Sequence, residues 1–250
     1  MKRIYLYIIL FFASNLIIAQ NIQVKYKNIA SPIAYLNEEL YVNQDKVLSV
    51  RDSIVFKNQS NNEISYNEGS NTITIPSREI LYKIKYFKNL KNDPIVFSEY
   101  LDGKLYCISD NIPRINWVID YKKSKKILGY LCYEASANFR GSDIIAYFSK
   151  ELPYSTGPYK FQGLPGLILQ VFEKGNTFNS WEAISVTKDT ATLVKNSICD
   201  NTISLKEFLI LQDKKIDERF RQRTSNLSSD VKITRMKVPR QGIEKKYEWE

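Results

Sequence analysis

Asp110, Asp120, Asp143 and Glu151 are the residues whose type and spacing best suit chemistry. A pair of carboxylates can divide acid and base work between them, one protonating a leaving group while the other activates water or attacks. The same residues at turns and strand ends are ordinary solvated charges, and that reading weighs more. The chain has no histidine, which removes Ser-His-Asp and Cys-His catalysis and most zinc sites. Cys132 has no base near it in sequence and sits in a strand-like run, so it reads as a buried structural thiol. No cysteine pair has metal-site spacing, and no cofactor motif is present. The glycine-rich run Gly157–Gly166 lacks the phosphate-loop pattern and leads into a strand instead of a helix. Binding is therefore the better functional expectation. Its candidate residues are Trp117, Tyr130, Tyr147, Tyr159 and Phe161, part of an aromatic load that also includes Phe139 and Phe148. They suit a lipid, glycan or peptide groove, and they equally suit the core of a sheet.

These side chains must be positioned by strands. The run Thr156–Val171 holds three glycines and two prolines among large apolar residues. Proline restricts φ and glycine permits positive φ, so Gly157, Pro158, Gly163, Leu164, Pro165, Gly166, Leu167 and Ile168 specify a rigid, buried connection and a close approach of two strands. Upstream, Ile22–Lys27 alternates apolar and polar residues, and a short helix or loop is expected around Ile33–Leu40. Further strand-like stretches recur at Lys46–Val50, Asp52–Lys57, Thr72–Ile75, Glu79–Phe87, Ile95–Leu101 and Lys104–Ser109. The last two are joined by the hairpin dipeptide Asp102-Gly103. Strands are then expected at Arg114–Asp120, Ile127–Asn138, Asp143–Ser149, Gly166–Glu173, Phe178–Val186, Ala191–Ser197 and Val231–Val238. Ser204-Leu205-Lys206-Glu207 is a capping box. Leu205, Phe208, Leu209, Ile216 and Phe220 then share one helical face, which predicts a helix over about 205–223. The fold class is mainly β (α+β): one meandering, antiparallel, strongly twisted sheet with a C-terminal amphipathic helix packed on one face.

The N-terminus reads as a secretory signal over residues 1–19: Met1-Lys2-Arg3, an apolar stretch from Ile4 to Phe12, and a small-residue exit at Ala19. Residues 20–250 are expected to form a single domain, periplasmic or secreted. No cysteine near the junction suggests a lipid anchor. The chain carries +9 at pH 7, of which Lys2 and Arg3 contribute two, leaving +7 without them. This charge suits anionic lipid head groups, lipopolysaccharide or acidic glycans, though its scatter is also that of a plain solvated surface. No nucleic-acid motif accompanies it, and nucleic acid is not an expected partner. Of the three cysteines, Cys107 and Cys132 both fall in strand-like segments. They are read either as a cross-strand disulfide or as small buried core residues.

An ordered motif series covers roughly Asp110 to Val171. It comprises Ile115-Asn116-Trp117-Val118-Ile119, then Lys126–Ala135 with its Gly129-Tyr130-Leu131-Cys132 centre, then Phe139-Arg140-Gly141 and Ala146-Tyr147-Phe148. It ends with Glu151-Leu152-Pro153 and Gly163-Leu164-Pro165-Gly166-Leu167-Ile168. The series resembles the GLPGLI family (Porph_ging-type) of bacterial envelope proteins from the Bacteroidota, whose biochemical role is unassigned. Glu134 stands where that family usually has Lys, Ser142 where it has Arg, and Tyr147 where it has Trp. An anion site built from such a Lys–Arg pair would be lost here. The resemblance implies an exported cell-envelope protein but transfers no catalytic residue. The expected function is non-catalytic: binding an apolar or amphiphilic ligand, or an outer-membrane partner. The alternatives are a carboxylate-based hydrolase and a purely structural envelope protein.

Overall fold

The computed structural model describes residues 21–31, 34–56, 65–67, 72–74, 79–91, 94–188, 199, 201–225, 240 and 242–250. The leader expected over residues 1–19 and the strands expected at Ala191–Ser197 and Val231–Val238 lie outside them. Strands β1 (Ile22–Ser31), β2 (Ala34–Asn43), β3 (Lys46–Phe56), β6 (Glu79–Asn89), β7 (Ile95–Leu101) and β8 (Lys104–Asp110) form one run of antiparallel neighbours. Strands β9 (Val118–Ile127), β10 (Tyr130–Phe139), β11 (Ser142–Ser149), β12 (Leu167–Glu173) and β13 (Ser180–Lys188) form a second. Antiparallel pairing of β1 with β13 joins the two runs into one open sheet, completed by β14 (Ile203–Ser204) beside β8. Two short strands, β4 (Ser65–Asn67) and β5 (Thr72–Thr74), pair separately. The sheet is thus two meanders docked side by side, in place of the single one expected.

Three local expectations are corrected. Residues 34–43 form strand β2, not a helix, because Leu36, Glu38, Leu40 and Val42 fall on one side of a ladder between β1 and β3. The stretches expected at 46–50 and 52–57 are joined in one strand, β3, whose described residues end at Phe56. The strand expected at Arg114–Asp120 begins only at Val118 and runs on through the lysine-rich residues to Ile127. That segment does not alternate because β9 is the outermost strand and nearly all of its side chains are exposed.

Strand order also decides the disulfide. Cys107 bonds to Cys199, at a Cα–Cα separation of 6.2 Å, and not to Cys132. Although both are strand residues, Cys107 on β8 and Cys132 on β10 lie near opposite ends of the sheet. The parallel pairing of β14 with β8 instead brings Cys199, four residues before β14, alongside Cys107. Cys132 is a free, buried thiol, and burial pushes its pKa up to about 11.

The sheet must curl. Strands β8 and β9 are ten positions apart in the order, about 48 Å along a flat sheet. The chain from Asp110 to Val118 reaches at most about 27 Å. Curling gives the sheet a concave inner face lined by Val24, Tyr26, Leu40, Ile84, Tyr86, Ile108, Ala135, Ala146 and Phe148, all buried. Helix α1 (Leu205–Thr224) follows β14. Its capping box is complete: the Ser204 hydroxyl accepts from the Glu207 amide (3.2 Å), and the Glu207 carboxylate accepts from the Ser204 amide (2.8 Å). Leu205 and Phe208 are buried, the latter against the Tyr106 ring, whereas Ile210 and Ile216 are exposed.

Candidate functional site

The glycine–proline run fills the concavity. Thr156, Gly157, Pro158, Tyr159, Lys160, Phe161, Leu164, Gly166, Leu167 and Ile168 are all buried. Two glycines explain how it fits. A Cβ on Gly157 would lie 2.7 Å from the Ile168 side chain, and one on Gly166 would lie 2.2 Å from the Ser149 carbonyl oxygen. Strands and loop are sewn together by side chains. Tyr26 donates to the Ile168 carbonyl (2.7 Å) and Trp117 Nε1 to the Gln162 carbonyl (2.9 Å). Lys88 Nζ donates to the Gly157 carbonyl (3.0 Å). The buried Glu38 carboxylate accepts from Ser49 Oγ (2.5 Å), the Tyr159 amide (2.5 Å) and Trp181 Nε1 (2.9 Å). Tyr159 holds a positive φ of 52°, a strained conformation for a bulky residue that persists only where the surroundings over-determine it. They do so here: its ring stacks on Trp181 and meets the rings of Tyr86 and Phe161 edge-on.

Beside the run lies a buried ion cluster. Arg140 makes a bidentate pair with Asp110 (2.7 and 2.8 Å) and also reaches Glu244 (2.6 Å) and Glu248 (2.9 Å). Lys160 Nζ donates to Asp110 (2.8 Å) and Glu244 (2.9 Å), and the Tyr159 hydroxyl donates to Glu244 (2.7 Å). The Asp110 and Arg140 side chains are each 1% exposed. Burial pushes the Asp110 pKa up, but the Arg140 hydrogen bonds and the Lys160 charge outweigh it and hold the carboxyl below its ordinary value. Glu244 is depressed likewise, burial being overcome by Lys160 and Arg140. The cluster ties the segment 242–250 and the buried run to the end of β8. Its chemistry is that of a closed, compensated network. Lys88 differs: burial lowers its pKa to about 7, against a smaller opposing effect of Glu38.

The four candidate carboxylates have separate partners. Asp110 belongs to the ion cluster. Asp120 accepts from the Lys122 amide (3.0 Å), Asp143 from Asn138 (2.9 Å) and Glu151 from the Leu131 amide (2.9 Å). The aromatic candidates divide as well. Tyr159 and Phe161 are interior, and Trp117 is half-buried against the loop. Tyr130 and Tyr147 are half-buried on β10 and β11.

Around these last two the outer strands carry a mixed tyrosine–lysine surface. Lys125 Nζ lies 3.8 Å from the centre of the Tyr147 ring and bonds to Gln170. The Tyr147 hydroxyl donates to Glu134 (2.7 Å), which also pairs with Lys123 (2.9 Å). Burial and the Glu134 contact push the Tyr147 pKa up to about 12, and partial burial lowers that of Lys125. On the opposite face of the sheet, where Tyr133 pairs with the buried Phe148, Lys150 Nζ sits 4.1 Å above the Tyr121 ring, which packs edge-on against Tyr133. Sequence reasoning missed Tyr121 and Tyr133, because Lys150, which stands over both rings, follows β11 and no local pattern joins it to them. Each face thus carries a tyrosine ring with a lysine ammonium held over it.

Residues 139–170, spanning Arg140, the tyrosine of β11 and the glycine–proline run, match the family described as "Protein of unknown function (Porph_ging)". This is the family that the motif series resembles. No curated protein matches the chain. Among solved structures it is similar to PNGF-II in two crystal forms. In the P21 form the TM-score is 0.51 at 20% identity, covering 78% of this chain and 34% of that one. In the C2 form the TM-score is 0.52 at 18% identity, covering 78% and 33%. The chain therefore spans about a third of the length of those proteins, and at this identity the likeness is one of fold.

Proposed function

We propose that this chain is a non-catalytic, exported cell-envelope protein that binds an amphiphilic ligand, or an outer-membrane partner, on the tyrosine–lysine surface of β9–β12. The observation that carries the reading is the placing of Lys125 over Tyr147 on half-exposed strands, while the concave interior is occupied by the chain's own run. Tyr130 and Tyr147 of the aromatic candidates contribute to this face, whereas Tyr133 and the Tyr121 ring it meets lie on the other. Tyr159 and Phe161 serve as its interior support. Likeness to about a third of PNGF-II supports the view of the fold as a module. A cleaved leader over residues 1–19, release without a lipid anchor, a strongly twisted sheet and an amphipathic α1 packed on one face belong to the same reading. The buried Leu205 and Phe208 support the last of these.

The test is native mass spectrometry of the mature chain purified gently from its own host envelope. A discrete added mass that is lost on denaturation, and that Tyr147→Ala abolishes, is the expected result. A bare polypeptide mass, with no partner captured by cross-linking in the envelope, would leave a purely structural role.

A further inference from the structure

Three hairpins share one backbone. Asp102-Gly103, Leu128-Gly129 and Arg140-Gly141 are two-residue loops with positive φ at both positions: 51° and 77°, 51° and 86°, 46° and 85°. This is the type I′ turn, whose first position favours Asn, Asp or Gly. Asp102 satisfies that preference, and Arg140 departs from it for a visible reason, the ion cluster. Leu128 departs from it with no such reason. The residue is 46% exposed and belongs to no core cluster of the described residues, so no packing among them accounts for a leucine in a strained conformation there.

The surroundings suggest what does. Leu131, just across the turn on β10, is also exposed, as are Lys122, Lys123, Lys125 and Lys126 along β9. Lys123 and Lys125 are held by Glu134 and by Gln170 with Tyr147, whereas the Lys122 and Lys126 side chains have no ion-pair partner among the described residues. Lysines on an outermost strand do blunt edge-to-edge pairing. That role explains the lysines but not a leucine at the tip, beyond the paired residues. A projecting apolar tip behind which unpaired lysines stand is complementary to an anionic bilayer: leucines among the lipid chains, ammonium groups among the head groups.

We propose that the β9–β10 hairpin is a docking element for an anionic lipid surface, with Leu128 and Leu131 as its apolar tip and Lys122 and Lys126 as its head-group contacts. These residues are separate from the tyrosine–lysine surface, and the inference does not depend on the ligand reading. Co-sedimentation of the mature chain with vesicles of phosphatidylglycerol in phosphatidylcholine, and of phosphatidylcholine alone, tests it. Binding to the anionic vesicles that weakens with salt is expected. Leu128→Asn suits the turn better, so that variant should melt no lower than wild type. It should nevertheless bind vesicles about fivefold or more weakly, from loss of apolar burial. Lys122→Gln with Lys126→Gln should weaken binding by about tenfold or more. No binding by the wild type at low salt, equal binding to neutral vesicles, or a Leu128→Asn chain that binds as wild type does would each overturn the proposal.

Discussion

The turns at the two ends of β10 have nearly the same backbone and opposite surroundings. Arg140-Gly141 closes onto the interior, where Arg140 is enclosed by Asp110, Glu244 and Glu248 and its own carbonyl accepts from the Lys245 and Lys246 amides. Leu128-Gly129 projects into solvent. In the first turn a strained residue is held by charges that would be left bare without it. In the second nothing among the described residues compensates the strain. Local conformation is therefore a poor guide to how much a residue stabilises the fold, and what the side chain meets decides it.

Removing each side chain tests the contrast most severely. Arg140→Met leaves Asp110 buried without its bidentate partner and should destabilise the chain by about 3–5 kcal/mol in denaturant titration. Leu128→Met should stay within about 0.5 kcal/mol. Comparable losses in the two would abolish the contrast. The neighbouring glycines form a second matched pair. Alanine at a left-handed position costs about 1–2 kcal/mol in either turn. Gly141→Ala should cost more than Gly129→Ala, because its Cβ would sit 3.2 Å from the Lys246 side chain while nothing lies within 4 Å at Gly129. Equal melting-temperature shifts would mean that the segment 242–250 does not press on the turn.

Acid separates the two ends again. Asp110 and Glu244 have folded pKa values below their unfolded ones, so their stabilisation is present above the ordinary carboxylate range and is lost as pH falls through the depressed values. Stability should decline in that range in the wild type and decline less in Arg140→Met. Lys88 adds a term of the same sign at higher pH. Its folded pKa of about 7 lies below the ordinary 10.5, so the unfolded chain binds the proton more tightly, and stability should rise from pH 7 toward the onset of tyrosine ionisation. A Lys88→Met chain with the same rise would rule out that source. The last effect expected is a gain: Leu128→Asn should add about 0.5–1 kcal/mol by relieving the turn.

Some of this was legible in advance. The Asp102-Gly103 hairpin, the capping box at Ser204 and a helix starting at Leu205 rest on contacts within a few residues, and each stands as read, the helix running to Thr224. Strand β9 was only half legible, because an edge strand with lysines on both faces loses the alternation that marks a half-buried one. Of the candidate site, Tyr130 and Tyr147 were named from type and position. Tyr121 and Tyr133 were not, because their value comes from Lys150 and from each other across the β9–β10 pair.

The amino-acid sequence by itself determined the strand-rich character, the turn chemistry, the capped helix and the rigid glycine–proline run, since these follow from φ preferences and short-range hydrogen bonds. Only the tertiary structure decided that β1 docks on β13, that Cys107 meets Cys199, and that Asp110, Arg140, Lys160 and Glu244 share one buried network. Each of those depends on which distant strands become neighbours. That choice is made by burying the whole curled sheet around residues 156–168, and no local pattern encodes it.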